Sequence, residues 1–150
     1  MSDVPVIIRA MRETDLAFVV DTWRRSYTEE SWLSRFDKDV YFKLMGRHIG
    51  MLTREPAAQV RIACDVEDED AIVGFAVITG PELHYVYVRG GKDTSMRHMG
   101  IARKLLDGVE IRTYSCRTPS GERRLKPKER GWTYAPRTAQ WAEGKLRVEM

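Results

Sequence analysis

Glu82-Leu83-His84-Tyr85-Val86-Tyr87-Val88, followed after a loop by Arg97-His98-Met99-Gly100-Ile101-Ala102-Arg103-Lys104-Leu105-Leu106, is the most informative part of this chain. Its first half is aromatic and β-branched, the composition of a strand. Its second half opens a helix, expected over residues 97–109, with a glycine in the first turn. A helix N-terminus presents unbonded N–H groups and a partial positive charge, so it attracts anions. Gly100 lacks a side chain, which lets a phosphate approach the backbone closely. Ala102 keeps the same face small, and Arg97 adds a fixed charge with bidentate donor geometry. Together these features favour a pyrophosphate.

Upstream, Val6-Ile7-Ile8-Arg9-Ala10-Met11 reads as a strand. Thr14 or Asp15 is placed to cap a helix. Leu16, Val19, Val20, Trp23 and Tyr27 then form one apolar helical stripe. A second helix fits residues 37–52, with Tyr41, Leu44, Met45, His48, Ile49 and Leu52 on one face. His48 there is read as a core or groove histidine rather than a ligand. After Pro56, residues 60–66 alternate as a strand. Glu67-Asp68-Glu69-Asp70 is polar and reads as a hairpin turn. Residues 71–78 are almost continuously apolar, as in a central strand. The order is strand, two helices, three strands, helix, an α+β layer with helices against a mainly antiparallel sheet.

The chain has 150 residues, 43% hydrophobic and 31% charged, which suits one soluble domain. No apolar run is long enough for a membrane helix. Residues 1–12 lack the pattern of a signal peptide, so a cytoplasmic location is expected. Cys64 and Cys116 have no metal-ligand spacing and read as reduced thiols; no metal is expected. The net charge of +3 hides an asymmetry: residues 111–150 carry 10 Lys/Arg against 4 Asp/Glu. Such a basic segment suits nucleic acid, an acidic protein surface or the phosphates of a small ligand, or is simply a solvated face. Gly90-Gly91-Lys92-Asp93-Thr94-Ser95 is not a nucleotide P-loop, because Asp93 stands where the magnesium-binding Ser or Thr must follow Gly-Lys.

Arg97, Gly100 and Ala102 resemble the three defining positions of motif A in the GNAT N-acetyltransferase superfamily. Tyr85-Val86-Tyr87-Val88 resembles that family's fourth strand, and the element order matches over residues 5–110. The resemblance implies acetyl-CoA as co-substrate and transfer of its acetyl group to an amine of a small molecule or protein by direct attack on the thioester. It implies contacts of the coenzyme with Arg97, His98, Met99, Gly100, Ile101 and Ala102, and of its pantetheine arm with Tyr87 and Val88. A backbone N–H near that strand would stabilise the oxyanion. A base is useful for the amine. Glu82 is the first candidate, with a solvated turn residue as its alternative reading. His84 is the second, facing the same side by strand alternation.

The chain departs from the family pattern in its last 40 residues. Residues 111–117 read as a fifth strand. Thr118-Pro119-Ser120-Gly121-Glu122-Arg123-Arg124 reads as loop, and Gly131-Trp132-Thr133-Tyr134-Ala135-Pro136 as aromatic and turn-rich. The family's late tyrosine acid has no clear counterpart; Tyr114 and Tyr134 are the candidates, Tyr114 first, and Trp132 reads as packing. The expected layout is an acyl-CoA-binding core over residues 1–117 and a basic, aromatic extension over residues 118–150 packed on the same domain. The ending resembles compact phage-encoded GNAT-like proteins. A second function fits the same residues: a non-catalytic or CoA-binding module that contacts a host protein or nucleic acid through the basic segment. A homodimer is compatible with either reading.

Overall fold

The computed structural model describes residues 6–25, 37–89, 100–115 and 125–135. They form β1 (Val6–Ala10), a 3-10 turn (Glu13–Asp15), α1 (Leu16–Arg25), α2 (Lys38–Arg54), β2 (Ala58–Asp65), β3 (Asp68–Thr79), β4 (Glu82–Val88), α3 (Ile101–Leu105), β5 (Thr113–Tyr114) and β6 (Thr133–Tyr134). The sheet runs β1-β2-β3-β4-β5-β6. Pairing is antiparallel from β1 to β4 and parallel from β4 to β6. This is the expected α+β class, a mainly antiparallel mixed sheet flanked by helices.

Both faces of the sheet are covered, which is why β3 reads as an almost unbroken apolar run. On one face Val19 and Trp23 of α1 and Tyr41, Met45, Ile49 and Leu52 of α2 pack on Ile62, Phe75 and Val77. Trp23 stacks on Tyr85 with ring centroids 5.0 Å apart and planes 9° from parallel. The Tyr41 hydroxyl donates to the Arg24 carbonyl at 2.9 Å and ties α2 to the end of α1. His48 is buried on this side, while Tyr27 lies outside the described residues. On the other face Ile101 and Leu105 of α3 pack with Ala76, Ile78, Leu83 and Tyr114.

The start of α2 follows a simple rule. The Asp37 carboxylate accepts from the amides of Asp39 at 2.9 Å and Val40 at 3.2 Å, satisfying two free helix donors. The first helix starts differently from expectation. Neither Thr14 nor Asp15 is its cap: a 3-10 turn begins at Glu13, and Asp15 is buried. The Asp15 carboxylate accepts the Arg12 amide at 2.7 Å and two guanidinium nitrogens of Arg9 at 2.7 and 3.1 Å. Asp15 is thus not the N-cap but the third residue of the turn, its carboxylate reaching back to the Arg12 amide as in a capping box. These hydrogen bonds from Arg9, opposed by burial and helped by the Arg12 amide, hold the Asp15 carboxyl below its ordinary value.

Three further boundaries differ. The β2–β3 hairpin turns at Val66 and Glu67, and Asp68-Glu69-Asp70 already belong to β3. Asp65 and Asp68 hold the turn by accepting the amides of Glu67 at 2.8 Å and Asp70 at 3.0 Å. Within the described residues the third helix covers Ile101–Leu105, not residues 97–109. Gly100 (φ +73°) and Gly108 (φ +76°) are both left-handed and bracket it. Within the described residues, which stop here at Ser115, the fifth strand is Thr113–Tyr114 and starts two residues later than expected; Thr133–Tyr134 form a sixth strand beside it.

Candidate active site

The site is built on β4 and on what flanks its far end. The β3–β4 register pairs Val77 with Tyr85 but Ile78 with Leu83, so His84 is an extra residue, a β-bulge. The bulge resets the alternation of faces. Leu83 packs on the α3 side, Tyr85 and Tyr87 on the α1/α2 side, and Val86 and Val88 on the α3 side again.

The bulge also sets which backbone groups are committed. The Arg89 amide donates to the Val73 carbonyl at 2.8 Å. In an antiparallel ladder hydrogen-bonded pairs recur at every second residue, so Tyr87 and Tyr85 direct their amides and carbonyls toward β3. Val86 and Val88 direct theirs to the opposite side. On that side β5 pairs with β4 only at Glu82↔Thr113 and Leu83↔Tyr114 among the described residues. The Ser115 amide adds one more bond, to the Leu83 carbonyl at 3.0 Å. Described β5 thus stops level with the start of β4, and beyond it no described residue pairs with the Val86 and Val88 backbone.

Gly100 heads α3 on the same face of the sheet. Around an added Cβ there is nothing within 4 Å, and φ is +73°. The glycine is therefore demanded by backbone conformation, with no described residue crowding it. Ile101 is fully buried against the sheet, so it anchors the helix rather than facing that space. Ala102 is partly exposed. Arg97, His98 and Met99 lie outside the described residues. Arg61 of β2 donates to the carbonyls of Leu105 at 3.1 Å and Asp107 at 2.7 Å, a cationic cap on the α3 C-terminus that its sequence position did not reveal.

The three candidate catalytic residues gather near the bulge. The Glu82 side chain is 16% exposed, with Oε1 3.9 Å from His84 Nε2. His84 is 1% exposed; its Nε2 lies 2.9 Å from Thr79 Oγ1 and its Nδ1 2.5 Å from Ser115 Oγ. Tyr114 is 8% exposed and sits in the core cluster on the α3 side. Its ring centroid is 5.4 Å from that of Tyr134. Trp132 packs against the same cluster, with the Arg130 guanidinium 5.6 Å from its ring centroid. Thr79 and Ser115 carried no sequence signal, since lone hydroxyl residues at strand ends are common.

No family model and no curated protein matches the chain. Solved structures do. An aminoglycoside N-acetyltransferase, AAC(6')-Iy, in complex with CoA superposes with a TM-score of 0.52 at 16% identity, covering 92% of this chain and 94% of that one. The fold is that of the GNAT acetyltransferases. The same enzyme with a bisubstrate analog matches with a TM-score of 0.50 at 12% identity, over 97% of this chain and 99% of that one. YjaB from Escherichia coli matches with a TM-score of 0.43 at 20% identity, over 68% of this chain and 62% of that one. A GNAT-family acetyltransferase from Staphylococcus aureus Mu50 matches with a TM-score of 0.46 at 17% identity, over 69% and 63%. The chain thus matches less than two thirds of the length of these last two. Within the GNAT fold seen here, no helix among the described residues is long and apolar enough to cross a membrane.

Proposed function

We propose that this protein is an acetyl-CoA-dependent N-acetyltransferase. The observation that carries the reading is the side of β4 turned away from β3, where among the described residues no strand pairs with Val86 and Val88 beyond the end of β5, next to the head of α3. An amide-bearing pantetheine arm suits such an edge, because it can pair with strand backbone as another strand would. Gly100 leaves room at the helix head for phosphates, and Arg97 supplies charge in the adjoining sequence. Acetyl-CoA supplies an activated acyl group as its thioester.

This chain's own residues then have separate tasks. Val86 and Val88 align the arm; Tyr87, expected to share this task with Val88, turns its backbone to β3 instead. Gly100 and Ala102 admit the phosphates. Glu82, still partly exposed, takes the proton of the incoming amine directly or through a water. Tyr114 is buried beside β4 and is the candidate acid for the leaving thiol. The acceptor is an amine of a small molecule or protein.

The test is calorimetry with CoA, paired with thiol release from acetyl-CoA across a panel of amines. Binding with amine-dependent release is the expected result. Binding without release for any amine would favour the non-catalytic module. No binding at all would end the acetyltransferase reading.

A further inference from the structure

His84 is 1% exposed and Ser115 4%, yet both are polar. The ring Nδ1 lies 2.5 Å from Ser115 Oγ and Nε2 lies 2.9 Å from Thr79 Oγ1. Each hydroxyl can donate or accept, so either neutral tautomer satisfies both ring nitrogens. The three residues come from three neighbouring places: Thr79 ends β3, His84 is the bulge of β4, and Ser115 directly follows β5. The Ser115 amide also makes the last described backbone bond from the β5 side to β4. Glu82 Oε1, at 3.9 Å from Nε2, is outside direct hydrogen-bond range and stands beside the ring.

We propose that His84 is a positioning residue and not the base. With Thr79 and Ser115 it clamps the end of β3 and the described end of β5 to the start of β4, and so sets where the Glu82 carboxylate stands. The proposal rests on the acetyltransferase reading. A base must come within about 2.6–3.2 Å of the proton it removes, or reach it through one water. A ring enclosed in the sheet, with a hydroxyl on each nitrogen, reaches an amine only by breaking one of those bonds. Glu82, two residues earlier, keeps an exposed edge.

The experiment uses the full chain with His84→Gln, Ser115→Ala, the double variant, and Glu82→Gln. Four readouts are taken: CoA affinity, kcat and KM for the amine, the pH profile of kcat/KM, and amide exchange at residues 113–115. His84→Gln and Ser115→Ala should each keep CoA affinity within about threefold. Both should lower kcat by roughly tenfold to 100-fold, since displacing a reacting group by about 1 Å costs up to about 10². Both should speed exchange at residues 113–115. The double variant should be no worse than either single one, because the residues act as a unit. Glu82→Gln should remove the acidic inflection of the pH profile, which His84→Gln only displaces. Loss of that inflection in His84→Gln, with Ser115→Ala at wild-type rate, would make His84 the base and overturn the proposal. Unchanged exchange in both single variants would overturn it too. If the wild type fails to bind CoA, the acetyltransferase reading falls, and exchange alone decides the clamp.

Discussion

Gly74→Ala should destabilise the protein although alanine is the better strand residue. An added Cβ at Gly74 would stand 2.7 Å from the Tyr87 carbonyl oxygen, 3.3 Å from Ile101 Cγ2 and 3.4 Å from Leu105 Cδ1. The first contact is with backbone and has no rotamer to escape into. The other two are the side chains that seat α3 on β3. Without a clash, alanine would gain about 0.5–1 kcal/mol over glycine in a strand. Overpacking costs about 1–3 kcal/mol. The net expectation is a loss of about 1–2 kcal/mol. With a urea m-value of about 1–3 kcal/mol/M, the unfolding midpoint should fall by roughly 0.5–1 M. Gly50→Ala is the control: it lies in α2, an added Cβ has nothing within 4 Å, and helix propensity favours alanine by about 0.8–1.0 kcal/mol. Its midpoint should rise. CoA affinity should fall in Gly74→Ala alone, because a raised α3 carries Gly100 with it. A midpoint for Gly74→Ala at or above wild type would refute the packing of α3 described here.

Three other outcomes are expected. Gly100→Glu should weaken CoA binding by roughly 100-fold in calorimetry, the equivalent of about 2.7 kcal/mol, with part of any stability loss traceable to the left-handed backbone at φ +73°; unchanged affinity in a folded variant would remove the phosphate role of the α3 head. Asp15→Asn should cost roughly 3 kcal/mol near neutral pH, because it leaves the Arg9 guanidinium buried without its carboxylate. The Asp15 carboxyl is held below its unfolded value, so its contribution is present above about pH 4 and lost as pH falls through the folded value; the gap between wild type and variant in urea titrations should therefore close toward acid, and a gap independent of pH would contradict the ion pair. Arg61→Met should lower stability by about 1–2 kcal/mol by removing a charged donor from two α3 carbonyls; no change in the thermal midpoint would mean that solvent serves those carbonyls equally well.

Periodicity and composition alone determine much of this protein. The stripe through Leu16, Val19, Val20 and Trp23 places α1, the face through Tyr41, Met45, Ile49 and Leu52 places α2, and the apolar run ending at Ile78 is the central strand. These are local effects, set by side-chain spacing, so the chain states them directly. Gly100 also stands out locally, and its left-handed backbone gives a reason for it. Tertiary structure decided the rest. A single extra residue at His84 puts Tyr85 and Tyr87 on the face opposite Leu83, and only pairing with β3 creates that bulge. A two-residue strand such as Thr133–Tyr134 is too short for any period and exists because β5 lies beside it. Arg9 with Asp15, Arg61 with α3, and His84 with Thr79 and Ser115 depend on which strand ends meet. Partners brought together across strand ends have no fixed spacing along the chain, so only the folded sheet selects them.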